Sequence, residues 1–268
     1  MPAATVAHCG NRQMKTRLGK CIFCSVHGPF TRAEHPIPES LGNDDLTLPM
    51  GLVCDSCNQY FGTKLESTIL NYPPWSIERV AAAVRTKRGR FAKFIGNGMS
   101  LWSTGFWSHV VFAADPTKNP TIRLNPDGTG VMFVVPPPDY HFLLSRFLLK
   151  VGLELLALSD TNDINDHQFD PARRHARFGE PSLDWEVAYG IYPRRRDLII
   201  STREDEIGPI EERQLYSYEL GVMEDGRIIF AFMYITHLFA ICLTSDRLGN
   251  YIAAFNAGNE FHLQSSRR

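Results

Sequence analysis

Apolar residues recur with a helical period in the first third of the chain and again near its middle. A spacing of four residues predicts a helix over residues 56–70, and the residues that set this spacing are Phe61, Leu65 and Ile69. The sequence Asn-Tyr-Pro-Pro then ends that helix, and a second one is expected over 76–85, with Ser76 as its cap. Over 142–158, apolar residues cover nearly every face, which predicts a helix buried against a sheet.

Runs of β-branched and aromatic residues predict strands in the rest of the chain. These strands are expected at 107–113, 131–135, 185–192, 198–202, 216–223 and 228–235. Turn sequences are Pro-Asp-Gly at 126–128 and Glu-Asp-Gly at 224–226. Before the first helix we expect a tight turn at 20–24, a short extended segment at 30–38 and a loop at 42–45. The predicted fold class is therefore α+β.

A change of pattern predicts the domain organisation. The helical pattern gives way to strands after the basic run at 85–90. We therefore expect a small module over 1–72, a basic helical linker over 73–98 and an α+β domain over 99–268, whose role the sequence does not indicate.

Positive charge is concentrated in the N-terminal part. Residues 1–95 contain 12 Lys and Arg against 7 Asp and Glu, a net charge of +5, whereas the remainder carries −6. This excess favours a polyanionic partner such as nucleic acid. Four basic residues are predicted to contact phosphates, with a solvated helix end as the alternative: Arg85, Lys87, Arg88 and Arg90.

The apolar runs are shorter than the roughly 20 residues that a membrane-spanning helix requires, so no membrane association is expected. The first ten residues lack a basic start followed by an apolar stretch. We therefore expect no export signal and a cytoplasmic location.

Four of the six cysteines form two Cys-x-x-Cys pairs, Cys21 with Cys24 and Cys54 with Cys57. Without an export signal, this pattern favours a metal site over disulfides, with a redox dithiol as the alternative. Four thiolates meet the tetrahedral coordination of a structural Zn²⁺ ion, so we predict one zinc site. The remaining cysteines receive no role.

Between the two pairs lies the motif that carries the candidate chemistry. Glu34 and His35 open the sequence Glu-His-Pro-Ile-Pro-Glu-Ser-Leu-Gly, and Asn58 directly follows the last cysteine in Cys-Asp-Ser-Cys-Asn-Gln-Tyr-Phe-Gly. Together with Cys-Ile-Phe-Cys at 21–24, these segments resemble the HNH (His-Me finger, ββα-metal) endonucleases, in the zinc-knuckle variant with asparagine as the last motif residue. The resemblance covers about a quarter of the chain. The three segments together are specific for this family, whereas each segment alone is not.

The resemblance implies a zinc-stapled ββα-metal module that hydrolyses phosphodiester bonds, with double-stranded DNA as the expected substrate. His35 would be the general base that deprotonates water. Glu34 and Asn58 would bind one catalytic Mg²⁺ or Mn²⁺ ion. The zinc would serve only as scaffold. Similar enzymes act in restriction, mobile elements and phage defence.

Several alternatives stay open at this point. The middle asparagine of the motif can be matched by Asn43 or by Asp45. Glu66 lies two helical turns after Asn58 and is an auxiliary ligand or, more simply, part of a solvated helix end. Asn58 can also satisfy backbone donors at the start of the helix.

At the level of the whole protein, the alternative is a zinc-stabilised nucleic-acid-binding or regulatory protein with a catalytically silent HNH module. The presence of His35 beside a carboxylate favours the nuclease. A homodimer is a further expectation, because symmetric dimers are common.

Overall fold

The computed structural model describes residues 19–86, 88–96, 99–103, 110–114, 122–124, 126, 130–132, 137–159, 164–180, 184–192, 215–259 and 262–266. Helices and antiparallel sheets occur together in these residues, which confirms the predicted α+β class. None of the helices described in these ranges is long and apolar enough to span a membrane.

The N-terminal module begins with a small hairpin that carries the first cysteine pair. Lys20 and His27 form an antiparallel bridge, which confirms the predicted tight turn at 20–24. The Ser25 amide donates to the Cys21 carbonyl at 2.9 Å. The Ile22 amide donates to the Leu52 carbonyl at 2.9 Å and so joins this hairpin to the segment before the second cysteine pair.

The helix after the second pair confirms the prediction for 56–70. It begins as α1 (Asp55–Tyr60), widens into a π-helical stretch (Phe61–Glu66) and ends as α2 (Ser67–Ile69). Its three spacing residues are buried, as an amphipathic helix requires: Phe61, Leu65 and Ile69. The sequence periodicity did not indicate the π-helical stretch, a feature that is frequently found at functional sites.

One local prediction is wrong, and another is confirmed only in part. Residues 30–38, interpreted from the sequence as a short extended strand, form no strand, because Pro36 and Pro38 have no amide hydrogen to donate to a ladder. A short 3₁₀ turn (Glu39–Leu41) follows, and the Leu48 amide donates to the Glu34 carbonyl at 2.7 Å.

The second predicted helix is also shorter than expected. α3 spans Trp75–Ala81, Pro74 rather than Ser76 is its N-cap, and Ser76 is buried within it. The chain then turns in a tight hairpin, where the Thr86 amide donates to the Arg90 carbonyl at 2.7 Å. Gly89, at φ +70°, takes the left-handed conformation that this turn needs.

The remaining described residues form sheets and three helices. β1 (Lys93–Gly96), β2 (Met99–Ser103) and β3 (Val110–Ala114) form one antiparallel sheet, and β4 (Ile122–Leu124) pairs with β5 (Gly130–Met132). The largest sheet has the order β10-β6-β9-β8-β7. Its strands are β6 (Val187–Ile191), β7 (Tyr216–Val222), β8 (Ile228–Tyr234), β9 (His237–Cys242) and β10 (Gln264–Ser266). The helices are α4 (Tyr140–Leu158), α5 (Asp170–Phe178) and α6 (Tyr251–Gly258).

The predictions for 185–192, 216–223, 228–235 and the helix over 142–158 are confirmed by β6, β7, β8 and α4. β3 and β5 confirm strands within 107–113 and 131–135. The predicted strand at 198–202 lies outside the described residues. The pattern missed β1, β2, β4, β9, β10, α5 and α6, most of which are short.

Helix α4 lies between the N-terminal module and the largest sheet. On the sheet side, a Cβ atom on Gly152 would come within 2.9 Å of the Phe230 ring, so glycine lets helix and sheet approach closely. Its other side meets the helix that begins with α1. This enclosure explains why apolar residues cover nearly every face of α4.

A single cluster of buried apolar residues runs through the N-terminal module, α4 and the large sheet. Trp75 sits inside it, stacked on Phe239 at 4.8 Å and edge-on to Phe147 at 5.4 Å. The predicted division into 1–72, 73–98 and 99–268 stays a prediction, but the first and last of these segments share a core.

Candidate active site

The four paired cysteines converge on one point. The sulfurs of Cys21, Cys24, Cys54 and Cys57 all lie within 4.8 Å of one another. The Sγ atoms of Cys24 and Cys54 are 3.6 Å apart, close to the roughly 3.8 Å edge of a tetrahedron built on Zn–S bonds of about 2.3 Å. These cysteines can therefore hold a zinc ion.

The surroundings of this cluster favour one thiolate, at Cys21. A hydrogen bond with Cys57 lowers the pKa of Cys21 to about 4, and the same bond raises the pKa of Cys57. The Arg177 guanidinium donates through Nε to Cys57 Sγ at 3.2 Å and lies 3.9 Å over the Tyr60 ring. A fixed positive charge thus offsets the negative charge of clustered sulfurs.

Asp55, next to the cluster, ties the start of helix α1 to the segment that leads into the motif. Its carboxylate accepts from the Thr31 hydroxyl at 2.8 Å and from the Thr31 and Arg32 amides at 3.0 Å. The hydrogen bond from Thr31, above all, lowers the pKa of Asp55. The zinc knuckle and the motif segment are therefore joined directly.

A cleft of about 440 Å³ opens beside this junction, and the structure brings the three predicted catalytic residues to it. Glu34, His35 and Asn58 all line this cleft, as does Glu66. Gly62 leaves its floor open, because a Cβ atom there would meet nothing within 4 Å. The roles assigned to these residues stay predictions.

The His35 ring has one engaged and one free nitrogen. Nε2 lies 3.2 Å from Oε1 of Glu39, whereas Nδ1 is buried and has no hydrogen-bond partner among the described residues. If Nε2 carries the proton and faces the carboxylate, Nδ1 presents its lone pair. A free lone pair of this kind can accept a proton.

Asn58 is oriented by the motif segment itself. Its Nδ2 donates to the Ala33 carbonyl at 2.9 Å, so Oδ1 is the side-chain atom that can ligate a cation. The same bond holds the residue before Glu34 against helix α1. Asn58 therefore supports the geometry of the motif whether or not it binds metal.

Of the two candidates for the middle asparagine, the structure favours Asn43. It is fully buried, and its Nδ2 donates to the Ile37 carbonyl at 2.6 Å and the Leu46 carbonyl at 2.9 Å. Its Oδ1 accepts from the Leu46 amide. Asp45 is exposed. Asn43 thus closes the loop that follows His35.

Glu34 and Glu66 share a partner that the sequence did not suggest. The Lys150 ammonium, fully buried on α4, lies 2.7 Å from Glu34 Oε1 and 2.8 Å from Glu66 Oε1. Burial raises the pKa of Glu34, against the attraction of Lys150. The interpretation of Glu66 as part of a solvated helix end is therefore wrong, since its carboxylate pairs with a buried cation.

Lys150 could have been suspected from its surroundings in the sequence. It is a charged residue in the middle of a largely apolar helix, and Glu154 follows four residues later. Such a pair at helical spacing inside a buried segment indicates an internal ion pair. The sequence between the two cysteine pairs does not by itself connect Lys150 to Glu34.

The predicted phosphate-contacting residues lie on the tight hairpin after α3. Arg85, Arg88 and Arg90 are exposed there, and Lys87 lies outside the described residues. Arg85 also supports the hairpin, because it donates to the Gly89 carbonyl at 3.0 Å and lies 4.8 Å over the Phe91 ring. Their contact with phosphates stays a prediction.

Comparison with protein families bears on this site directly. Residues 21–72 match the family model described as HNH endonuclease. The resemblance read from the motifs is thereby confirmed, and this segment is called the HNH module below. It contains the four cysteines, Glu34, His35 and Asn58, whereas Lys150 lies outside it. No curated protein and no solved structure gave a match.

Proposed function

We propose that the protein is a metal-dependent endonuclease that hydrolyses phosphodiester bonds, with double-stranded DNA as the substrate. The observation that carries this proposal is that the HNH module brings Glu34, His35 and Asn58 to one open cleft. Such a cleft can accept a strand of nucleic acid beside the His35 ring.

In this proposal His35 takes the proton from the attacking water. Glu39, at 3.2 Å from Nε2, holds the ring in place. Loss of the base is expected to slow cutting by roughly two to four orders of magnitude. The Ala33 and Asn43 hydrogen bonds keep the segment around His35 in place.

The donor set fits a hard divalent cation. Glu34 and the amide oxygen of Asn58 would hold Mg²⁺ or Mn²⁺, which prefer oxygen ligands. Such an ion, when bound, would stabilise charge on the phosphate and on the leaving oxygen. The cleft needs positive charge, because Glu34, Glu39 and Glu66 line it and would repel a phosphate.

Positive charge from the protein itself comes from two places. Arg79 lines the cleft, and its buried Nε has no hydrogen-bond partner among the described residues. The exposed hairpin with Arg85, Arg88 and Arg90 would bind more distant phosphates. In the proposed enzyme zinc at the cysteine cluster is scaffold, and residues 99–268 position the substrate.

The direct test is incubation of the purified protein with supercoiled plasmid and Mg²⁺ or Mn²⁺, with and without a chelator. We expect nicked or linear products that appear only with the divalent ion. Metal-dependent binding without any cutting would contradict the proposal and support the alternative, a silent HNH module in a nucleic-acid-binding or regulatory protein.

A further inference from the structure

The Lys150 ammonium reaches from α4 into the HNH module and contacts both sides of the motif. Besides Glu34 and Glu66, it donates to the main-chain carbonyls of His35 at 3.0 Å and Pro36 at 3.3 Å. Glu154 Oε2 lies 3.0 Å away on the same helix. One cation thus joins the motif segment, the helix that begins with α1, and α4.

This arrangement is not the simplest way to fill a core. A buried ion pair is often no more stable than apolar residues of the same size, because the charges lose their hydration. Three carboxyl groups around one ammonium, all withdrawn from water, make that loss larger. The ammonium group instead holds the surrounding oxygen atoms in fixed positions, because it is a compact charge with three hydrogen-bond donors.

The oxygens that it fixes belong to the proposed catalytic residues. The carbonyls of His35 and Pro36 define the main chain that carries the His35 ring, and the Glu34 carboxylate lines the cleft. Lys150 itself does not line the cleft. Its effect on substrate would therefore be indirect.

We propose that Lys150 is a positioning residue of the nuclease site, which aims Glu34 and His35 into the cleft from outside the HNH module. The role assigned to Lys150 rests on the proposed function, whereas the contacts of its ammonium group do not. It follows that the HNH module depends on α4 for an ordered site, although all its motif residues lie within 21–72.

The test compares Lys150→Met and Lys150→Arg with the parent in the full chain. Arg173→Met is the matched control, because Arg173 is also a buried cation that binds the carbonyls of Ile164 and Asp166 and the Asp170 carboxylate, away from the HNH module. Two readouts need no activity. The first is the set of His35 ring signals in NMR spectra recorded before Mn²⁺ is added, which are assigned with His35→Gln. The second is the Mn²⁺ concentration that half-broadens those signals.

We expect both Lys150 variants to shift the His35 signals and to raise the half-broadening Mn²⁺ concentration by about 10- to 100-fold. Plasmid cutting should show a lower kcat with an unchanged KM for DNA. Arg173→Met should lower only the melting temperature. If Lys150→Met does not fold, Lys150→Arg decides, since it keeps the charge but cannot reproduce the five contacts.

Folded Lys150 variants whose His35 signals and Mn²⁺ response stay within twofold of the parent would overturn the inference. If the parent binds Mn²⁺ at His35 but does not cut, and the Lys150 variants still lose that binding, the proposed function fails while the positioning role stands.

Discussion

At the scale of single residues, the contact between His35 and Glu39 is the one that most affects the proposed chemistry. A carboxylate near Nε2 favours the tautomer with the proton on that nitrogen, which leaves the lone pair on Nδ1. Removal of the Glu39 carboxylate should reduce the rate of cutting less than removal of His35, because the base itself would remain.

Glu39→Ala is therefore expected to lower kcat by a smaller factor than the roughly hundredfold or greater loss predicted for His35→Ala, with little change in KM. The measurement is the rate of plasmid cutting under saturating metal. Glu219→Ala, which removes an exposed carboxylate on β7, is the control. Equal rates for Glu39→Ala and the parent would show that the contact plays no part.

Glu154 gives a prediction on pH. Burial raises its pKa well above the usual value, although Lys150 opposes this. The folded protein then keeps this proton at pH values where the unfolded chain releases it. This contribution to stability falls as pH rises from about 4.3, the usual glutamate pKa, towards the folded pKa.

Glu154→Gln cannot titrate, so the parent should lose stability relative to this variant as pH rises, by up to about 1.4 kcal/mol per pH unit. Urea unfolding of both proteins at pH 5, 6 and 7 measures this difference. A difference that is constant over this range would mean that Glu154 is already ionised at pH 5.

Residue identity and spacing were enough to predict three of the residues that line the cleft, because Glu34, His35 and Asn58 lie within one short module. Spacing could not reveal which atoms they contact. The pairing of Glu34 depends on Lys150, which lies 115 residues beyond His35 in the sequence. Asn43 and Asp45 could be separated only by burial.

At the scale of elements, the cysteine cluster brings together segments with little regular structure. Residues 30–38 form no strand, so the position of the motif segment depends on the cysteine cluster and on Asp55.

Cys54→Ser should therefore lose the zinc, expected at about one ion per parent chain, and should melt at a lower temperature. Each kcal/mol lost from the free energy of unfolding lowers the melting temperature by about 2–4 °C for a chain of this size. Cys242→Ala, a change at a buried cysteine in β9, is the control and should keep its zinc. Normal zinc content in Cys54→Ser would exclude the proposed site.

The basic run after α3 was predicted to be the end of a helix, but in the structure it forms a tight hairpin. The positive charges of Arg85, Arg88 and Arg90 are consequently displayed on an exposed tip. Helical periodicity could not foresee this, because the left-handed glycine and the bridge between Arg85 and Phe91 decide the local structure.

Arg88→Ala with Arg90→Ala should weaken DNA binding and reduce the slope of log K against log salt by about 0.9 per lost contact. Arg174→Ala with Arg247→Ala removes the same charge from other exposed sites and is the control. Binding titrations at several salt concentrations test this. Identical slopes for both double variants would mean that the hairpin makes no specific phosphate contact.

At the scale of the whole molecule, the α+β class followed from the pattern, whereas the relation between the two halves did not. Helix α4 was correctly predicted as buried, but its second face packs on the HNH module rather than on a sheet alone. Long-range packing of this kind leaves no periodic signal. The shared core makes α4 part of the environment of the site.

The central claim is that His35 acts as the base and Asn58 as a metal ligand in one site. It is tested most directly by the rate of plasmid cutting against Mn²⁺ concentration for His35→Ala and Asn58→Ala. His27→Ala, at an exposed histidine of the same module, is the control. We expect His35→Ala to lose roughly two or more orders of magnitude at every metal concentration, while high Mn²⁺ restores part of the activity of Asn58→Ala. Parent-like cutting by His35→Ala, or its recovery by metal as in Asn58→Ala, would contradict the account.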